Sequence, residues 1–312
     1  MRLMKGFTIE LDKDGYLKTN LRFPCLASFK LDGIRAAQCQ ELGFQSNSGK
    51  PFPSKYVQEL AKQLPYLGLD GEFVYGDPSD EHCCNKTQSA VMSIEWPADL
   101  DKSELRYYVF DVHNDPQTFA HRIDVARLAV ESVQANCPWV GFVEHPIFNT
   151  STDLKDFYEH ALAEGFEGII YRHPHRAYKQ GRSTEKEGGL GKLKPFGKEL
   201  FEARIVGWYP QLQALSSEFN ELGYLKASKA ADNVVTIDAI GGFYVEDCKT
   251  GVAFKLGGGK LFTKRFRQDM FKNVESLIGK IIQYKCMTYG QVEAPRQPTA
   301  YRFRDPIDMT NY

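Results

Sequence analysis

Leu26-Ala27-Ser28-Phe29-Lys30-Leu31-Asp32-Gly33-Ile34-Arg35 is the stretch that decides how this chain is read. A strand-like run from Leu26 to Phe29 delivers Lys30, and Gly33 permits a tight turn shortly after it. A lysine amine becomes a nucleophile when desolvation or neighbouring cations lower its pKa. Arg35 is the cation at hand. An ordinary surface turn built on Asp-Gly would look the same locally, so the flanking sequence has to decide.

Outward from this stretch, short strand candidates alternate irregularly with helices. The strands are expected over Leu26 to Phe29, Ala36 to Cys39, Glu72 to Tyr75, Tyr107 to Val112 and Gly168 to Tyr171. Helical spacing of apolar residues follows Ser54, which would cap its helix, then Thr118, then Ser151-Thr152, with Gly165 as a terminator. Irregular alternation disfavours a doubly wound parallel sheet and predicts an α+β arrangement of twisted sheets.

Between Arg172 and Lys198 the texture changes to eight Lys or Arg against two Glu, an exposed basic loop leading into a strand. Beyond Pro195-Phe196-Gly197 five strands are expected, at Phe201 to Trp208, Val234 to Ala239, Gly242 to Val245, Val252 to Leu256 and Ile281 to Met287. One helical insert falls at Lys264 to Asn273. That pattern predicts a small barrel such as an OB-fold. The expected division is a first domain over 1–199 and a second over 200–312, with 209–233 as a long surface loop.

Composition narrows the function classes. The 312 residues suffice for two domains, and a net charge of −1 means that any polyanion-binding surface must be local. Met1 to Asn20 is too charged for a signal peptide, and no apolar run could span a bilayer. The seven cysteines form no C-x-x-C pair, and His82-Cys83-Cys84 lacks a second ligand pair at zinc spacing. Reduced thiols in a cytoplasmic protein are expected.

The residues of Lys30 to Arg35 resemble the nucleotidyl-lysine motif K-x-D-G-x-R of the superfamily of DNA ligases, RNA ligases and mRNA capping enzymes. Leu69-Asp70-Gly71-Glu72-Phe73 looks like its third motif and Tyr107 to Val112 like the next. Glu167 to Arg172 resembles the fourth and Lys192-Leu193-Lys194-Pro195 the fifth, all in the expected order. Near the C-terminus, Tyr301-Arg302-Phe303-Arg304-Asp305 resembles the ligase sixth motif, without the lysine often found after the aspartate. Phe201 to Gly207 looks like the first OB strand of ligases, and Gly257-Gly258-Gly259 with Lys264, Arg265, Arg267 and Lys272 like the glycine turn and helix that follow.

The resemblance implies a compact ATP-dependent DNA ligase of phage or bacterial type. Its fold would be a nucleotidyltransferase (ATP-grasp-like) domain plus a C-terminal OB-fold β-barrel. ATP would donate AMP to Lys30, and nicked double-stranded DNA would be the partner of a monomeric enzyme with no membrane contact, cytoplasmic or in a host's cytoplasm. Asp32, Arg35 and Arg304 would share in catalysis. Lys192 and Lys194 alternate, so both would reach phosphates from one strand face. Glu167 and Glu72 suit Mg²⁺, although the glutamate matching Glu72 also holds ribose in relatives. Phe110 matches the residue that stacks on adenine, and Ser28 one that contacts its edge.

Asn47, in Ser46-Asn47-Ser48-Gly49-Lys50, stands where many DNA ligases carry an arginine that grips the nick, and Lys50 could replace it. Lys50, Arg172, Arg176, Lys179, Arg182, Lys264 and Arg265 are the candidate nucleic-acid contacts. An RNA ligase and an mRNA-capping guanylyltransferase remain alternatives. Against capping stand Glu167 in place of aspartate, the K-L-K-P-F reading of the fifth motif and the R-x-R-D ending.

Overall fold

Lys30 lies where the chain leaves one β-sheet and enters another. In the computed structural model, which describes residues 2–12, 15–195, 200–215, 219, 221–223, 234–287 and 293–304, strand Cys25–Phe29 belongs to a five-stranded sheet. Its order is Phe7–Thr8, Leu190–Leu193, Ile169–Arg172, Cys25–Phe29, Ile147–Phe148. Strand Ile34–Cys39 belongs to another, ordered Gly43–Ser46, Ile34–Cys39, Leu69–Tyr75, Leu105–Val112, Val140–Phe142. Each sheet is antiparallel except for one parallel pair at an edge, Phe7–Thr8 with Leu190–Leu193 and Leu105–Val112 with Val140–Phe142.

Packing fixes the crossing. Phe29 stacks on Phe157 at 4.8 Å and on Phe166 at 4.4 Å between centroids, which seats the strand end just before Lys30. A Cβ on Gly33 would lie 2.1 Å from the Phe73 carbonyl oxygen, so close approach of two strands demands this glycine. Gly168, at φ +138°, leaves its carbonyl free to accept the Lys30 backbone N–H at 2.8 Å.

Helices Lys55–Gln63, Cys83–Met92 and Phe119–Val133 cover the sheet that contains Glu72, and Ser151–Ala163 packs on the one that contains Lys30's strand. One cap differs from expectation. Ser54 makes no side-chain cap bond, and its Oγ is buried without a partner. Thr150 caps helix Ser151–Ala163 by accepting from the Asp153 N–H at 3.1 Å. Helix Cys83–Met92 was not expected, because its buried positions are held by Cys83, Thr87, Ala90 and Val91, small residues that give little apolar signal.

The chain divides into two compact units, Met1–Lys194 and Pro195–Tyr312. The second contains a five-stranded antiparallel sheet ordered Ala253–Leu256, Val234–Asp247, Phe201–Ala214, Ile281–Met287, Arg296–Phe303. Ala300 N–H donates to the Gly258 carbonyl at 2.8 Å, which draws the chain beyond one edge strand against the other. This is an OB-like domain, with helix Lys264–Phe271 capped by Thr263. The strands expected over Val234 to Ala239 and Gly242 to Val245 are one long strand, and residues 209–214, expected in a loop, are its partner. Much of 215–233, the residues Phe196 and Gly197, and Asp305 lie outside the described residues.

Candidate active site

A cleft of about 680 Å³ opens at the crossing of the two sheets, and Ser28, Lys30, Glu72, Phe110 and Lys192 line it together with Arg35. These residues come from four separate sequence segments. The Lys30 ammonium pairs with Glu167 Oε2, and Lys194 Nζ donates to the other oxygen, Oε1, at 2.7 Å. Glu167 is 5% exposed, so this charged triad is largely withdrawn from water, with Lys30 the member that lines the cleft.

Burial alone would push the Lys30 ammonium down. The carboxylates of Glu167 and Glu72, with Asp32 adding, outweigh it and hold its pKa above the ordinary value. This corrects the expectation that a neighbouring cation activates Lys30. Arg35 faces another way: its Nε and Nη2 form a two-pronged pair with Asp70 at 3.0 and 2.6 Å, and Nη1 donates to the Met4 carbonyl. Its guanidinium stands 5.4 Å from the centroid of the Phe110 ring, so Arg35 supports the residue expected under adenine.

The two carboxylates differ. Burial pushes Glu167 up, but Lys30 and Lys194 overcome it and carry the group down to about 2. Burial also raises Glu72, and there Lys30 and Arg35 compensate only in part, leaving it at about 7. Glu72 Oε1 accepts the Gly33 N–H at 3.1 Å, tying the third motif to the first. Lys192 is lowered by burial and by Lys194 and Lys30 beside it. The cleft thus gathers cationic and anionic groups at close quarters, as phosphoryl chemistry requires.

Arg172 departs from its expected role. It is 2% exposed, and its Nη2 pairs with Asp111 at 3.2 Å, so it cannot track a DNA backbone from the surface. Asp111 also takes Arg122 Nε at 2.7 Å. Sequence reading missed Asp70, Asp111, Arg122 and Tyr178, whose hydroxyl donates to Asp70 Oδ2 at 2.7 Å. Asp70 and Asp111 stood inside the motifs already singled out, and mid-strand aspartates flanked by apolar residues are the signal that could have found them.

Of the other nucleic-acid candidates, Arg182, Lys264 and Arg265 are exposed. Lys179 is held by Glu187 at 2.5 Å, and Arg265 by Asp269 at 3.4 Å. Arg176 is half-buried with its Nε enclosed. Arg267, grouped with them in sequence, donates instead to the carbonyls of Ile240, Gly241 and Gly257 and so belongs to the fold. Arg304 lies in the second unit, paired with Glu202 at 3.3 Å. All seven cysteines are free thiols. No group of three potential metal-binding side chains occurs among the described residues.

A nucleotidyltransferase domain with a lysine at the floor of its cleft, followed by an OB-like domain, defines the class. The ATP dependent DNA ligase domain matches residues 13–194, and the chain belongs to the ATP-dependent DNA ligase family. The Chlorella virus DNA ligase-adenylate is 28% identical, with a TM-score of 0.52, over 98% of this chain and 98% of that one. Another crystal structure of that viral ligase-adenylate gives 27% and 0.51 over 97% and 99%. A Lig E DNA ligase, 21% identical with a TM-score of 0.64 over 96% and 99%, shares the fold. Comparison with curated proteins gives no match. No helix among the described residues is long and apolar enough to cross a membrane.

Proposed function

We propose that Lys30 is the residue on which this DNA ligase carries AMP, and that the cleft residues divide the work of three phosphoryl transfers. The Lys30 amine attacks the α-phosphorus of ATP, forming a P–N bond as pyrophosphate leaves. The AMP passes to the 5′-phosphate of a nick, and the neighbouring 3′-hydroxyl then displaces it to close the strand. The observation that carries this reading is the largely buried triad of Lys30, Glu167 and Lys194, whose Lys30 lines a cleft of nucleotide dimensions.

Each side chain has a task. Burial is the largest influence on Lys30 and favours the neutral amine, so any weakening of the carboxylates' hold moves it towards a nucleophile. Phe110, braced by Arg35, offers a face to adenine, and Ser28 meets the edge of the base. Lys192 and Lys194 offset phosphate charge, and catalysis is mostly positioning and charge neutralisation. Arg304 is the candidate for orienting pyrophosphate.

The donor set fits Mg²⁺. A buried carboxyl at about 7 beside a second carboxylate marks a place short of positive charge, and Mg²⁺ needs only one or two carboxylates besides phosphate oxygens and water. Glu72, which lines the cleft, and Glu167, once Lys30 or Lys194 releases one of its oxygens, would hold it, and when bound it supplies positive charge to the phosphate being transferred. Exposed Arg182, Lys264 and Arg265, with Lys179 and Arg176, are proposed contacts for the DNA backbone. We read the enzyme as a cytoplasmic monomer of two domains, in keeping with its free thiols; size-exclusion with light scattering tests the monomer.

Intact-mass measurement after incubation with Mg²⁺ and ATP or GTP tests the core of the reading. One AMP should appear from ATP and map to Lys30, and Lys30→Ala should abolish it. A GMP adduct, or an AMP adduct surviving in Lys30→Ala, would overturn the assignment.

A further inference from the structure

His145 takes no part in the triad or in holding phosphates, yet it lines the nucleotide cleft together with Ser28, Val143 and Arg172. It is 8% exposed. Its Nδ1 lies 2.7 Å from the Val143 carbonyl, and a carbonyl can only accept, so Nδ1 carries a proton. That leaves Nε2 as an acceptor, withdrawn from water and without a hydrogen-bond partner among the described residues. An orphaned buried acceptor lowers stability until something donates to it.

The surroundings keep this acceptor open. The imidazole packs edge-on against Phe119 at 5.4 Å between centroids, and the Arg172 guanidinium stands 4.6 Å from the centroid of the same ring. Burial, with the charge of Arg172 adding, carries the imidazole down to about 3, so it stays neutral around pH 7. Arg172 Nε, a donor, is likewise enclosed without a partner. Strand register places His145 beside a residue already tied to the base. Cys25 pairs with Phe148 and Leu26 with Ile147, and the Ala27 N–H donates to the Pro146 carbonyl at 3.1 Å. One residue further, the same register sets His145 opposite Ser28, the residue expected at the edge of adenine.

Adenine presents an amine next to a ring nitrogen, a donor beside an acceptor, whereas guanine and hypoxanthine carry an oxygen in place of the amine. A neutral imidazole nitrogen welcomes the first and sets lone pair against lone pair with the second. We infer that His145 reads the 6-position of the purine, its Nε2 accepting the 6-amino group, and so selects ATP over 6-oxo nucleotides. The inference rests on the ligase reading and adds a specificity residue to it. Because Nε2 is enclosed, the base reaches it by displacing side chains at that end of the cleft, and the bond then forms where no water competes. Nothing in the sequence singles out His145, which stands between Glu144 and Pro146 like any loop histidine.

The test follows adduct formation on Lys30 by intact mass, using full-length enzyme, Mg²⁺ and either ATP, inosine triphosphate or purine riboside triphosphate, which has no 6-substituent. Wild type should favour ATP over both. His145→Ala should cut the ATP-to-inosine ratio roughly tenfold, the scale of an acceptor left facing the wrong group. Its ATP-to-purine-riboside ratio should approach one. In wild type labelled with ¹⁵N-histidine, the His145 Nε2 resonance should move upfield when Lys30–AMP forms, as it does when a lone pair takes a hydrogen bond. Unchanged ratios in His145→Ala, or equal losses with all three nucleotides, overturn the inference, and so does an Nε2 resonance that stays in place. Wild type that forms no adduct with any of them removes the ligase reading and this inference with it.

Discussion

Two charged networks share the first unit, and they are made of different residues. At the cleft floor, Lys30 and Lys194 divide the oxygens of Glu167, with Glu72 close by. Deeper in, Asp70 takes Arg35 and Tyr178, and Asp111 takes Arg122 and Arg172. The deeper network clamps the fold: Asp111 lies in the sheet of Glu72, Arg172 in the sheet of Lys30's strand and Arg122 on the helix between Phe119 and Val133. Arginine keeps its proton under all ordinary conditions, whereas lysine and glutamate exchange theirs when burial and neighbours change. The fixed pairs hold the two sheets in place, and the convertible ones sit where a proton must leave a nucleophile.

That contrast makes its largest prediction for Asp111→Asn. The change leaves Arg122 and Arg172 buried without a full counter-charge, and neither can neutralise itself. Unfolding in urea at pH 7 should show a loss of about 3–5 kcal/mol. A loss below about 1 kcal/mol would mean that the clamp adds no more than a surface ion pair. Glu167→Gln should cost less, about 1–2 kcal/mol, because lysines beside an open cleft can shed a proton or take water. Its effect on activity should run the other way: Lys30–AMP formation falls steeply in Glu167→Gln, while folded Asp111→Asn keeps most of it. Equal activity losses in the two variants would erase the distinction.

The smallest effect concerns pH. Glu72 titrates at about 7 in the folded protein, above its ordinary value of 4.5. Between these values the folded state holds a proton that the unfolded chain has lost, so this group's contribution to stability falls as pH rises and is flat above about 7. His145, lowered to about 3 by burial and Arg172, gives the opposite slope up to its ordinary 6.5. The difference between wild type and Glu72→Gln isolates the carboxyl. Glu72→Gln should gain stability relative to wild type from pH 5 to pH 7 in thermal melts, and a pH-independent difference would show that Glu72 is already ionised throughout.

Sequence reading reached the strands well where apolar residues are β-branched or aromatic, as at Leu105–Val112 and Ile281–Met287. It missed two-residue strands such as Met4–Lys5 and Phe7–Thr8, which exist only because distant strands offer them hydrogen bonds. It gathered Ser28, Lys30, Glu72, Phe110, Glu167, Lys192 and Lys194 by their motifs, and the structure brings all seven to one place. Arg35 and Arg172 were read as cations for Lys30 and for DNA. Both are spoken for by buried aspartates, and nothing local announces which carboxylate an arginine will meet.

By itself the sequence determined the residue types of the cleft, their order along the chain and the glycine that lets two strands meet at Lys30. Motif spacing carries that much because each motif is a short segment whose backbone is set by its own residues. Only the tertiary structure decided which charges are paired. The field at a side chain comes from neighbours on other strands, and burial multiplies it. That is why Lys30 is held as an ammonium and why Arg172 became a clamp.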